Sequence, residues 1–100
     1  MLNNDRHADN INRLLQGETI QFRPVGNSMD PKIKNGQLIT ISPDISDVKI
    51  GDAVFCKIDK SIFVHLVNDI QENRYQISNI RGKINGWTTV VYGKVIKVED

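Results

Sequence analysis

The chain has 100 residues, 39% of them hydrophobic and 25% charged, a balance that suits one soluble globular domain and leaves no room for two cores. Its 13 Lys and Arg stand against 12 Asp and Glu for a net charge of +1, interspersed along the chain, so no direct nucleic-acid partner is expected. The single Cys56 excludes an internal disulfide and a thiolate metal site, and His7 and His65 are too far apart in sequence to suggest a metal centre, so neither metal nor cofactor is expected.

The start, "MLNNDRHADN", lacks the basic region and apolar core of a secretory signal, which argues for a cytoplasmic protein. Residues 1–17 read as a short helical arm. Asn3, Asn4 or Asp5 can cap it, Ala8, Ile11, Leu14 and Leu15 share a face, Asp9 and Arg13 pair across one turn, and Gly17 can end it. His7 falls on its polar side, where a solvated role is expected. The arm is too short for a helix-turn-helix domain, and packing on a sheet is its expected role.

Residues 18–100 form the main domain and turn to strand patterns: "TIQFRPV", "QLITIS", "DAVFCKI", "SIFVHLV", "RYQISN" and "TTVVYGKVIKV". Turn signals separate them: "KNG", "SPDISD", "IGD", the pair Asp59 and Lys60, "QEN" and "RGKINGW". The two-residue link at Asp59 and Lys60 makes "DAVFCKI" and "SIFVHLV" a hairpin. Short, evenly spaced strands of this kind predict a mostly β fold, a small coiled antiparallel sheet or barrel with a short N-terminal helix. "SIFVHLV" is the longest apolar run, strand-sized, so no membrane span is expected. It is apolar on both faces, Ile62, Val64 and Leu66 on one and Phe63, His65 and Val67 on the other, which makes it an inner strand. Burial there would hold the His65 imidazole neutral near pH 7, the form a general base needs.

The stretch "RPVGNSMDPKIKNG" sets Ser28 in a tight turn. Gly26 and Asn27 tolerate positive φ, and Pro31 presses Asp30 toward an extended backbone. A turn needs such residues, and so does a nucleophile that must stand clear of a sheet beside backbone N–H groups. Alone, Ser28 is more often a turn former and His65 more often a core residue. Their order along the chain changes that weighting.

The ordered set Gly26-Asn27-Ser28-Met29-Asp30-Pro31, Gly36-Gln37-Leu38-Ile39, Gly51-Asp52-Ala53-Val54 and Val64-His65-Leu66-Val67 resembles the serine peptidases that include the LexA and UmuD self-cleaving domains and the type I signal peptidases. The likeness spans roughly Gln21 to Val98. It implies a fold of the LexA C-terminal and signal peptidase type, with Ser28 as nucleophile and oxyanion donor, Met29 lining the substrate groove, and His65 in the base position. LexA-like domains usually carry lysine there, and the endoplasmic-reticulum and archaeal signal peptidases carry histidine. The Gly51-Asp52 pair is structural in that family, and Cys56, mid-strand, reads as a buried inert thiol.

Histidine-type relatives supply an orienting carboxylate late in the chain. Here the corresponding stretch is "NIRGKINGWTT", with Lys83 where that aspartate would stand. Asn79 or Asn85 is left to hold the imidazole by an amide oxygen. Both are also turn residues, in "ISN" and "ING", and the sequence leaves the two roles open. Trp87 is expected to cover the end of the barrel or to form a binding surface.

LexA-like domains cut their own linker after Ala or Cys and before Gly, and this chain has neither Ala-Gly nor Cys-Gly. The resemblance therefore implies a freestanding domain, like small phage- and plasmid-borne relatives, with a Ser/His dyad that cleaves a protein or peptide substrate. Two other readings stay open. One is a non-catalytic binding or dimerisation module, a homodimer joined through "VVYGKVIKV" as an edge strand. The other is an unrelated small barrel in which "GNSMDP" is coincidence. The N-terminal arm is further expected to lie across the groove and restrain it.

Overall fold

A computed structural model describes the backbone from Asn3 to Asp100 and the side chains from His7 onward, so the capping assignment at Asn3, Asn4 or Asp5 lies outside the described side chains. Helix α1 spans Asn3–Leu15 and is followed by seven strands: β1 (Ile20–Phe22), β2 (Leu38–Ser42), β3 (Ala53–Ile58), β4 (Ser61–Gln71), β5 (Arg74–Ser78), β6 (Ile84–Thr88) and β7 (Val91–Glu99). They form a single sheet in the order β1-β2-β7-β3-β4-β5-β6, and every neighbouring pair is antiparallel. The mostly β architecture with one short N-terminal helix is the one the sequence predicts.

Alternation along β3 and β4 builds two cores, one on each face of the sheet, where the length of the chain alone suggests one. Ala53, Phe55 and Val64 face the first, with Leu14, Ile20, Ile39 and Ile41; Val54, Cys56 and Val67 face the second, with Ile77. That is why both strands read as apolar on both sides. The β3–β4 hairpin turns at Asp59 and Lys60, with Asp59 at φ 53°, and β4 turns into β5 through Glu72 and Asn73, with Glu72 at φ 55°. The Gly51-Asp52 pair ties the entry of β3 to β4: Gly51 N–H donates to the Val67 carbonyl at 2.8 Å and Val67 N–H to the Asp52 carbonyl at 2.9 Å.

Three expectations need correction. Strand β6 occupies Ile84–Thr88, where "RGKINGW" suggests a turn. Asn-Gly is a turn signal in isolation, but β5 offers an open ladder, and Gly86 at φ 140° passes through the strand without the strain a side chain would bring. The C-terminal run "TTVVYGKVIKV" is accordingly divided between the end of β6 and β7. Strand β7 is also no edge: it lies between β2 and β3, and the sheet ends at β1 and β6. It pairs with β3 through Val91–Lys94, so from Val95 onward its pairing among the described residues is with β2 alone.

The third correction concerns the apolar face of α1, whose packing on the sheet is the role the sequence predicts. It turns Ile11 and Leu14 into the first core, while Ala8 is exposed and Leu15 is 72% exposed. The helix seats on β7 at Gly93, where an added Cβ would stand 3.3 Å from Leu14 Cδ2 of the helix and closer still to β2, 2.5 Å from Ile41 Cγ2 and 2.6 Å from the Ser42 carbonyl oxygen. It is a packed element of the domain, and Ser28 is exposed with the helix in place.

Candidate active site

The loop from Arg23 to Gly36 is stapled before it presents anything. Arg23 Nη1 donates to the Gly36 carbonyl at 2.6 Å, and Gly26 N–H donates to Asn35 Oδ1 at 2.8 Å. Inside these closures the backbone makes a helix-like turn, with Asp30 N–H on the Asn27 carbonyl (3.1 Å) and Ile33 N–H on the Met29 carbonyl (2.9 Å). Met29 and Ile33 are buried in the first core and hold the turn down, and Ser28 stands exposed at its crest. Ile80 N–H reaches the Ser28 carbonyl at 3.4 Å, joining this turn to the β5–β6 connection.

His65 comes up from β4, 7% exposed, with Phe63 stacked on its ring at 4.2 Å. Its Nε2 lies 3.1 Å from Ser28 Oγ, and its Nδ1 lies 2.7 Å from Asn85 Oδ1. An amide oxygen only accepts, so Nδ1 carries the ring proton and Nε2 offers its lone pair to the serine hydroxyl. Burial lowers the His65 pKa below its ordinary value, partly opposed by the hydrogen bond that Nδ1–H donates to Asn85, which favours the charged ring. The result is a neutral imidazole in the tautomer a serine needs.

Asn85 arrives there through a β-bulge. Ile77 faces Gly86 and Ser78 faces Ile84, so Asn85 is the extra residue of β6. A bulge breaks the alternation of the strand and re-aims one side chain. Asn79, the other candidate, is engaged elsewhere: its Oδ1 accepts the N–H groups of Arg81 (2.9 Å) and Lys83 (3.0 Å) and shapes the loop between β5 and β6. Lys83 is an exposed residue of that loop.

Beside Ser28 lies a groove of about 440 Å³, lined by Met29, Ile33, Phe55, Ile62 and Val64 among others. Met29 therefore serves both as a core anchor and as a groove wall. His7 lines the groove too, which corrects its solvated assignment. Its ring centroid is 5.3 Å from that of Phe55 and 6.1 Å from that of Phe22, both edge-on. The spacing His7, Ile11, Leu14 marks a helical face that includes the histidine, a pattern hidden when His7 is sorted by polarity alone.

The sequence of these residues matches the model of the Peptidase S24-like family over residues 3–80. The chain belongs to that family. No curated protein and no solved structure matches it significantly. The matched stretch of this S24-like domain contains both Ser28 and His65, whereas Asn85 lies past its end. Two further residues stand apart from the site. Cys56 is fully buried in the second core, where desolvation pushes its thiol up to about 12. Trp87 carries the Arg74 guanidinium 5.0 Å above its ring on the β5–β6 pair.

Proposed function

We propose that this S24-like domain is a serine endopeptidase that cleaves a peptide bond in another protein, with Ser28 as nucleophile and His65 as general base. The observation that carries the reading is the unbroken line from Asn85 through His65 to Ser28, with spacings of 2.7 and 3.1 Å. As Ser28 Oγ attacks the scissile carbonyl carbon, His65 Nε2 takes its proton. The ring is then an imidazolium, and its Nδ1–H bond to the Asn85 oxygen becomes charge-assisted, stronger in the transition state than before it. The Ser28 N–H, the oxyanion donor that the family resemblance implies, opposes the charge growing on the carbonyl oxygen. Nε2 then returns the proton to the departing amine, the C–N bond breaks, and an ester remains on Ser28. A water molecule deprotonated by the same nitrogen releases the acid. Met29 and the apolar groove hold the substrate chain beside Ser28.

The test is an intact-mass time course of the wild-type protein, Ser28→Ala and His65→Ala with an unfolded protein substrate. Fragments that appear only with the wild-type protein support the reading. Equal fragmentation by all three, or none by any while the groove still binds peptide, overturns it.

A second reading, a binding and dimerisation module, has its own observation. Ile96 is 56% exposed and Val98 36% exposed on the part of β7 that, among the described residues, pairs with β2 alone. Sedimentation of the wild-type protein beside Ile96→Asp tests it, and a monomer in both cases would remove it.

A further inference from the structure

The charges of this nearly neutral chain are unevenly placed around Ser28. Of the 13 Lys and Arg and 12 Asp and Glu, the segments 23–36 and 79–85 hold five cations, Arg23, Lys32, Lys34, Arg81 and Lys83, against one carboxylate, Asp30. The remainder has eight cations against 11 carboxylates, so the excess reverses sign away from the site. The two segments meet at the Ile80 N–H contact with the Ser28 carbonyl. Arg23 is engaged in stapling the loop and Lys32 donates to the Gly51 carbonyl. Lys34, Arg81 and Lys83 are exposed and enter no ion pair among the described residues. Lys34 lines the groove itself, where its neighbours are Met29, Ile33 and Val25.

Structural charge would be expected to sit in pairs, as Lys94 does between Asp47 and Asp52. A cation in the apolar groove, Lys34, with Arg81 and Lys83 on the loop that meets the Ser28 carbonyl, makes a cationic rim that is instead the complement of a chain segment that carries an apolar side chain between carboxylates. We propose that the substrate class of this site is an acidic protein segment, an extended stretch with an apolar residue in the groove and Asp or Glu to either side, held at the rim by Lys34, Arg81 and Lys83. The inference rests on the reading of the Ser28 groove as the substrate site. It adds selectivity to that reading: the apolar residue fills the groove and the carboxylates set encounter and register. Since the rim is open to solvent, the preference must weaken as salt screens it.

The experiment uses the full chain carrying Ser28→Ala, so that binding is read without turnover. Three short fluorescent peptides share one Leu-Val centre and differ only in flanking Glu, Gln or Lys. Anisotropy is expected to give the Glu peptide about tenfold tighter binding than the Gln peptide at low salt, a gap that narrows at physiological salt. Combined Lys34→Gln, Arg81→Gln and Lys83→Gln should erase the gap, and the same three positions changed to Glu should turn the preference toward the Lys peptide. Equal binding of the three peptides, or binding of none, overturns the inference. So does a single-stranded oligonucleotide that binds more tightly than the Glu peptide, which would reassign the cations to nucleic acid. Failure of the peptidase reading is separate: the wild-type protein would bind the Glu peptide selectively and leave it uncut.

Discussion

Asn85 Oδ1 lies 2.7 Å from His65 Nδ1, and Asn85 reaches that position as the bulged residue of an edge strand. The contact fixes the tautomer of a buried ring, and it does so without a charge. A hydrogen bond to a charged group is worth about 1.5–3 kcal/mol, and about 1.4 kcal/mol is tenfold in rate. If the imidazolium of the transition state relies on Asn85, Asn85→Ala should lower kcat about 10–100-fold. Asn85→Asp should raise kcat and move the acid limb of the pH profile upward, because a carboxylate favours the charged ring. Rate loss in Asn85→Ala with no movement of the acid limb in Asn85→Asp would assign Asn85 to the structure of the β6 bulge alone.

The same ring makes stability, and under the proposed function activity, depend on pH in one direction. The His65 pKa is lowered by burial, so the native state takes up its proton only below the ordinary value of about 6.5, while the unfolded chain takes it up there. Stability contributed by the neutral ring is therefore present above about pH 6.5 and is lost as pH falls from there through the lower native value. Thermal melts should show Tm falling across that window in the wild-type protein and a flatter curve in His65→Gln. The kcat/KM profile should hold its plateau to pH values below those expected for an exposed histidine. A limb at or above about 6.5 would show that the ring is not desolvated in solution.

Strand periodicity made the core legible before any coordinates. Burial on both faces of "SIFVHLV" is written in its residues, as is the turn at Asp59 and Lys60. Ser28 and His65 were legible for another reason, their place in an ordered set of short motifs, although nothing local to either residue distinguishes a nucleophile from a turn serine. What stayed hidden depended on partners. Asn79 and Asn85 sit in equally turn-like surroundings, and only the register of β6 against β5 decides that one serves its own loop and the other meets the imidazole. Strand β6 owes its existence to the open side of β5, which no local propensity records. The buried face of the helix lies one position around its axis from the one that residue polarity predicts, because the imidazole of His7 packs edge-on against Phe22 and Phe55.

Cys56 offers a test that separates the chemistry of the site from the only thiol in the chain. It is fully buried and its thiol is raised to about 12, so almost no thiolate exists at neutral pH. Alkylation by iodoacetamide should be undetectable by intact mass in the native state and complete after unfolding. Any peptidase activity should survive the reagent and be lost to a fluorophosphonate that labels Ser28. Loss of activity to the alkylating reagent, with Cys56 modified in the folded protein, would contradict both the burial and the assignment of the nucleophile.

The N-terminal helix sets the two roles expected of it, packing on the sheet and restraint of the groove, against each other. An arm lying across the groove should be removable, and removal of residues 1–17 should raise activity. In the fold, however, Leu14 is 3% exposed within the first core and packs over Gly93, where β2 and the helix together leave no room for a side chain. Truncating one buried leucine costs about 2–5 kcal/mol, and a domain has only about 5–15 kcal/mol in total. Leu14→Ala should therefore lower the urea midpoint clearly, Gly93→Ala should cost about 1–3 kcal/mol by overpacking, and deletion of residues 1–17 should leave a chain that no longer melts cooperatively. Activity should fall with the folded fraction in each case. A truncated chain that melts like the whole protein and cuts faster would restore the restraining arm, since only then would the helix be dispensable to the core it enters.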